Sequence, residues 1–298
     1  MTAAQTTAET TATPAAPERK PLDEEIDVYG LTHPGKVRTE NQDHFLICAL
    51  TKQMVVHQTS LPETENLMVG PERLAFLAMV ADGVGGGAKG AEASRVALEA
   101  VTQYVSGSMR CYYAARAGDD KGFSEALLKG ALQSHTELLR RGEESPDHRG
   151  MATTLTLFLG VWPRAYLLQV GDSRAYLLRN GELTQITRDQ TMAEELVDLG
   201  VMTRADATDS RLSHTLSSSI GGRQTAPVVT GLDQNWGNVL LLCSDGLTNH
   251  VSDERIRERL RSMTSAKQVC EDLLQEALEG GGSDNITIIV GRALSSEN

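Results

Sequence analysis

The chain has 298 residues, of which 40 are Asp or Glu and 28 are Lys or Arg, giving a formal charge of −12. That balance excludes a general nucleic-acid binder, which needs clustered Lys and Arg to displace counterions from phosphates. Hydrophobic residues at 40% and charged residues at 23% are ordinary for a globular protein with a substantial core. No stretch approaches the roughly 18 to 20 apolar residues of a membrane span, so a soluble protein is expected, with no membrane partner. Cys48, Cys111, Cys243 and Cys270 form no CxxC pair. Neither a zinc knuckle nor a disulfide framework is indicated, and free thiols fit a reducing cytoplasm.

Residues 1–23 are rich in Thr, Ala and Pro and have almost nothing to bury, which predicts a disordered tail. The segment has no apolar h-region, and Thr2 in place of Gly excludes myristoylation. One domain is expected over 24–294, followed by a short tail over 295–298. Short runs of β-branched and aliphatic residues predict strands at Ile26–Leu31, Phe45–Leu50, Leu74–Ala81, Thr154–Val161, Ala165–Val170, Arg174–Leu178, Leu183–Thr187, Val228–Leu232, Val239–Cys243 and Asn285–Val290. Apolar residues at helical spacing predict helices over Ala91–Val105, Ser124–Arg140 and Ala266–Leu278, the last stopped by Gly280–Gly282. The run AYLLQVGDSRAYLLRNGELTQIT predicts an antiparallel meander. Two similar strands meet at a Gly-Asp-Ser turn, and Asn180-Gly181 supplies the positive φ pair of a two-residue hairpin. Many antiparallel strands with a few long amphipathic helices mean a layered α+β architecture, sheets packed together and helices outside.

Several apolar runs end in an aspartate: LAFLAMVADG at Asp82, VLLLCSDG at Asp245 and YLLQVGDS at Asp172, while SDNITIIV opens with Asp284. Each alone is an ordinary Asp-Gly or Asp-Ser turn. Together they would gather carboxylates at the ends of core strands, where uncompensated negative charge is costly and a divalent cation relieves it. With no Cys or His at ligand spacing, oxygen donors favour Mg²⁺ or Mn²⁺ over zinc. Upstream, HPGKVRTENQDHF places Arg38 five residues before Asp43, and a guanidinium fork matches two oxygens of a phosphate. Arginine beside a two-metal carboxylate site points to hydrolysis of a phosphate ester.

The ordered set VRTENQD, VADGVGGGAKGAEAS, MATTL, VGDSRAY, CSDGL and SDNIT resembles the PP2C-type (PPM) metal-dependent protein serine/threonine phosphatases, over about residues 26–292. The resemblance implies a four-layer α-β-β-α sandwich with a dinuclear Mg²⁺/Mn²⁺ site at one end. It implies that Arg38 binds the substrate phosphate, that Asp43, Asp82, Asp245 and Asp284 ligate metal, and that Gly83 adds its backbone carbonyl. As in bacterial-type members, PDHRGMATT would make Asp147 the holder of a third metal together with Asp245. Asp172 matches a motif that is usually structural and stays outside the ligand set. Gln42 and Asn285 are expected just behind the ligands, and His44 is the one histidine considered there. The implied substrates are phosphorylated proteins, with a Ser/Thr kinase as functional counterpart. A cytoplasmic monomer is expected.

The chain departs from the family pattern in three places. Val84 stands where many animal members carry a His that is a candidate general acid, which leaves the acid unassigned. Gln42 replaces a frequent Glu, and TRDQT replaces a more usual Asp-His. Residues 190–224 correspond to the family's variable flap, whose Ser/Thr-rich part is expected to be mobile and to influence which phosphoprotein fits. Two rivals are weaker. Gly85–Gly90 fits GxGxxG, but the meander contradicts a doubly wound dinucleotide fold and no acidic residue closes a strand about 20 residues on. A non-catalytic module on the same fold would be signalled by loss of a metal aspartate, and none of the five is missing.

Overall fold

The computed structural model describes residues 19–53, 58, 72–85, 88–108, 120–208 and 210–294. One antiparallel sheet has the order β1 (Ile26–His33), β12 (Ile286–Ala293), β11 (Val239–Cys243), β8 (Arg174–Arg179), β9 (Glu182–Gln185). The other runs β10 (Val228–Asp233), β7 (Arg164–Val170), β6 (Leu155–Val161), β3 (Glu72–Ala81), β2 (His44–Lys52). The two-residue strands β4 (Gly83–Val84) and β5 (Ala152–Thr153) pair separately.

Period-two alternation builds the layers. In β3, Ala78 and Val80 join Leu242 of β11 and Ile289 of β12 in an apolar layer between the sheets. Their neighbours Leu77, Met79 and Ala81 face outward into a second cluster with α1 (Ala88–Gly107) and α2 (Asp120–Glu144). In β11 and β12, Leu241, Cys243, Ile288 and Val290 face α6 (Asp253–Arg261) and α7 (Ala266–Glu279). Central strands are thus covered on both faces, which is why they read as unbroken apolar runs. The result is the expected α-β-β-α sandwich.

The predicted strands and the three long helices are present with shifted ends. The meander is corrected. Asn180 at φ 53° and Gly181 at φ 80° do turn β8 into β9, but β7 and β8 do not pair. β7 lies between β6 and β10, β8 between β9 and β11, so the Gly171-Asp172-Ser173 turn carries the chain from one sheet to the other. Alternation shows that a strand has a buried face, not which neighbour it finds. Gly171 takes φ 99°, where an added Cβ would stand 2.7 Å from the Thr154 side chain.

α6 escapes the sequence pattern because Ile256 and Leu260 are its only buried residues, one turn apart in DERIRERLR. The flap carries α3 (Met192–Asp198), α4 (Arg204–Thr208) and a 3-10 turn over Arg211–His214. Bridges from Thr191 to Leu216 and from Thr153 to Ile220 fasten it to itself and to the body. Arg19, the first of the described residues, is paired to Glu25. Residues 1–18 and 295–298 lie outside the described residues. Among those described, no helix is long and apolar enough to cross a membrane.

Candidate metal centre

Asp43 immediately precedes β2, Asp82 follows β3, Asp245 opens α5 (Asp245–Thr248) directly beyond β11, and Asp284 stands just before β12. Because His44 pairs with Ala81 and Cys243 with Ile288, these positions share one end of the sandwich, two from each sheet. The expected ligands Asp43, Asp82, Asp245 and Asp284 are thereby brought together. Asp82 lies close enough to Asp43 and Asp245 to influence the protonation of both. Burial pushes its carboxyl well above the usual range, and the charges of Asp43, Asp245, Asp172 and Asp284 push it further. Asp245 is raised by burial and by Asp284, while Asn249 Nδ2 donates to its Oδ2 at 3.1 Å. Asp82, Asp245 and Asp284 are walled by protein yet keep an accessible edge.

Asp43 is 2% exposed. Its Oδ2 accepts from Ser244 Oγ and from Thr287 Oγ1, both at 2.7 Å. Its Oδ1 is buried with no hydrogen-bond partner. Burial raises Asp43 to about 6 against the pull of the two hydroxyls. A buried carboxylate oxygen without a donor is unfavourable unless a cation meets it, and the donors around it are all oxygen. These residues fit a hard divalent ion. No three His, Cys, Asp or Glu side chains among the described residues close on a common point, so an ion would draw the carboxylates inward.

The backbone frame explains the other motifs. Thr153 Oγ1 and Thr154 N donate to Asp82 O at 2.8 and 2.9 Å, and Asp82 N donates to Thr154 Oγ1 at 2.9 Å. The Thr pair of MATTL thus grips Asp82 from both sides. A Cβ on Gly83 would fall 2.2 Å from Gly90 O and 2.8 Å from Gln42 O, so only glycine lets the loop, α1 and Gln42 meet there, with the Gly83 carbonyl beside Asp82. His44 Nδ1 lies 2.8 Å from Ser94 Oγ, which donates to Gln42 O at 2.5 Å. The histidine therefore steadies the segment that carries Asp43.

Arg38 grips Asp284 with two parallel bonds, Nε to Oδ1 at 2.9 Å and Nη2 to Oδ2 at 2.8 Å, and its side chain is 56% exposed. Asn285 holds the Arg38 loop. Its Nδ2 donates to Pro34 O at 3.0 Å and Glu40 O at 2.9 Å, and its Oδ1 accepts from Gln42 N at 2.8 Å.

Asp147 lies exposed in the 3-10 turn Pro146–His148 after α2, where its side chain makes no hydrogen bond or ion pair among the described residues. Asp172, set aside in the sequence, instead lines a cleft of about 480 Å³ with Asp245, Thr191, His214 and Asn249. Burial, and then Asp245 and Asp189, raise it to about 8. Ser244 and Thr287 were also missed. The available signal was a hydroxyl inside an otherwise apolar strand, which needs a buried partner.

A family model for protein phosphatase 2C matches residues 67–280. The serine/threonine protein phosphatase PstP of Mycobacterium tuberculosis is 36% identical over 219 residues, covering 72% of this chain and 40% of PstP. The serine/threonine phosphatase stp of Listeria monocytogenes is 30% identical over 215 residues, 72% of this chain and 83% of stp. The crystal structure of Mycobacterium tuberculosis PstP superposes with a TM-score of 0.72 at 31% identity, covering 91% of this chain and 99% of that one. Another structure, of the PstP catalytic domain in complex with two manganese ions, gives 0.67 at the same identity and coverage of this chain. The chain belongs to the protein phosphatase 2C family. It spans about two fifths of the length of full PstP.

Proposed function

We infer that this chain is a metal-dependent phosphatase that hydrolyses phosphoserine and phosphothreonine in proteins. The observation that carries this reading is the unpartnered Oδ1 of Asp43, buried among carboxylates drawn from both sheets and close to a guanidinium fork. Asp43, Asp82, Asp245, Asp284 and the Gly83 carbonyl would hold two Mn²⁺ or Mg²⁺ ions, as the manganese complex of PstP supports. When bound, such ions activate water at neutral pH and offset charge on the phosphoryl oxygens. Arg38 supplies the phosphate grip, since the geometry that now binds two oxygens of Asp284 equally suits two oxygens of a phosphate. Asn285 fixes the loop from which Arg38 reaches, and Gln42 backs the metal side. Asp147 would hold a third ion with Asp245.

The domain over 24–294 would carry the activity, the flap over 190–224 would select among phosphoproteins, and residues 1–23 and 295–298 would be tails. The substrates would be targets of a Ser/Thr kinase in a cytoplasm whose reducing conditions suit the free Cys48, Cys243 and Cys270. The enzyme is taken to act as a monomer.

The test is hydrolysis of a phosphothreonine peptide by purified protein with Mn²⁺ or with EDTA. Activity should require the metal and vanish in Asp245→Asn, whereas Arg38→Ala should raise KM about tenfold or more through loss of a charge-assisted pair. A folded, metal-loaded wild type that cleaves no phosphopeptide would overturn the reading.

A further inference from the structure

Four buried side-chain N or O atoms among the described residues have no hydrogen-bond partner: Asp43 Oδ1, Thr225 Oγ1, Trp162 Nε1 and Asn238 Nδ2. The first belongs to the metal centre. The last two belong to side chains that line one cavity, at the opposite end of the sandwich, beside the start of β1 and the last residue of β12. There the sheets part around about 110 Å³. The walls are the outer margin of the layer between the sheets, with Val28, Ala78, Phe158, Leu240 and Ile289. The cavity reaches the surface at Lys20 and at Asp233, whose side chain is 69% exposed.

The chemistry of an occupant follows from what is unsatisfied. Both orphan atoms are donors, so the occupant must offer an acceptor. The arginines at the rim are already engaged, Arg73 by Asp23 and by Pro21 O, Arg292 by Asp27 and by Thr264 O. Lys20 stands at the opening rather than among the apolar walls, so the part of the occupant held between the sheets needs no charge. The walls demand an apolar body, and since a dry cavity of about 150 Å³ holds benzene, the space of about 110 Å³ here suits a shorter body of about four carbons.

We propose that this cavity binds a small neutral carbonyl compound, its hydrocarbon body between the sheets and its oxygen accepting the hydrogen bonds that Trp162 Nε1 and Asn238 Nδ2 lack. The site is independent of the phosphatase reading, since no metal-centre residue lines it.

The chain contains two tryptophans, and Trp162 and Trp236 pack edge to face with centroids 5.6 Å apart at this end. An ¹⁵N-labelled sample therefore shows two indole N–H resonances, assigned by Trp162→Phe. Titration of the full chain with butanone should move the Trp162 resonance downfield and saturate. Pentane, which fills the same space without a carbonyl, should leave that resonance without the downfield shift. Ala78→Leu, which fills the cavity, should abolish the response to butanone, with Leu240→Phe as a second filling variant should the first fail to fold. Trp162→Phe should weaken binding about tenfold, read from the residual shift at Trp236. An unmoved Trp162 resonance up to the highest butanone concentration at which the wild type stays folded would overturn the proposal, as would an equal response in a folded cavity-filled variant.

Discussion

Asp43 divides its two oxygens between two tasks. Oδ2 is tied by Ser244 and Thr287 from the opposite sheet, which fixes the plane of the carboxylate, and Oδ1 is left for something the chain itself does not supply. Thr287→Val should therefore weaken Mn²⁺ binding roughly tenfold while Thr287→Ser restores it, measured by calorimetric titration of metal-free protein. Equal affinity in all three forms would show that the hydroxyl does not orient the ligand. Asn285→Ala frees Pro34, Glu40 and Gln42 at once, so it should raise KM more than it lowers kcat by loosening the Arg38 loop. A fall in kcat alone would contradict that role. The aspartates at strand ends were legible because charge interrupts an apolar run. The supporting hydroxyls were not, because Ser244 and Thr287 lie 201 and 244 positions from the carboxylate they serve. Asp172 was hidden by its resemblance to an ordinary turn residue, and only the crossing between sheets shows that it faces the cleft.

Elements were legible in proportion to how much of them is buried. Strands covered on both faces announce themselves, and α1, α2 and α7 each show an apolar stripe three turns or longer. α6 buries two side chains and gives no such signal. Partner choice between β7 and β8 is decided by packing across the layer, which no local pattern encodes. Helix ends, by contrast, are written locally. Ser265 Oγ accepts from Gln268 N, three residues on, although the Asp27 carboxylate, which accepts from Ala266 N at 3.1 and 3.0 Å, comes from far along the chain. Ser265→Ala should cost about 1 kcal/mol of stability in urea unfolding with kcat unchanged, because α7 carries no ligand. Gly246→Ala should do the reverse. Its Cβ would stand 1.9 Å from Asn285 O, forcing α5, and Asp245 with it, away from β12, so metal-dependent turnover should collapse even where the fold survives.

The whole molecule carries the electrostatic consequence of gathering like charges. Asp43 is raised to about 6 and Asp172 to about 8, and Asp82 and Asp245 are also raised. Without metal, the folded protein therefore retains protons that the unfolded chain releases from about pH 4 upward. Stability must then fall as pH rises through that window toward 8. Glu137, held by Arg140 and Arg141, is lowered to about 2 and so titrates outside this window. EDTA-treated protein should melt roughly 5 °C higher at pH 5 than at pH 8, given an effect on the order of 2 kcal/mol. Mn²⁺ should recover the loss at pH 8. A metal-free melting temperature that is flat or rising over this interval would contradict the clustering of charge.

Two of the clustered aspartates hang from each sheet, and the sheets touch through side chains such as Ala78, Val80, Leu242 and Ile289. The gap between the two pairs of carboxylates is thus gauged by the thickness of a hydrocarbon layer. A methyl group added or removed well inside the protein resets that gauge, as a shim does in a calliper. Ion preference in this fold is then open to adjustment through substitutions that touch no charged residue at all.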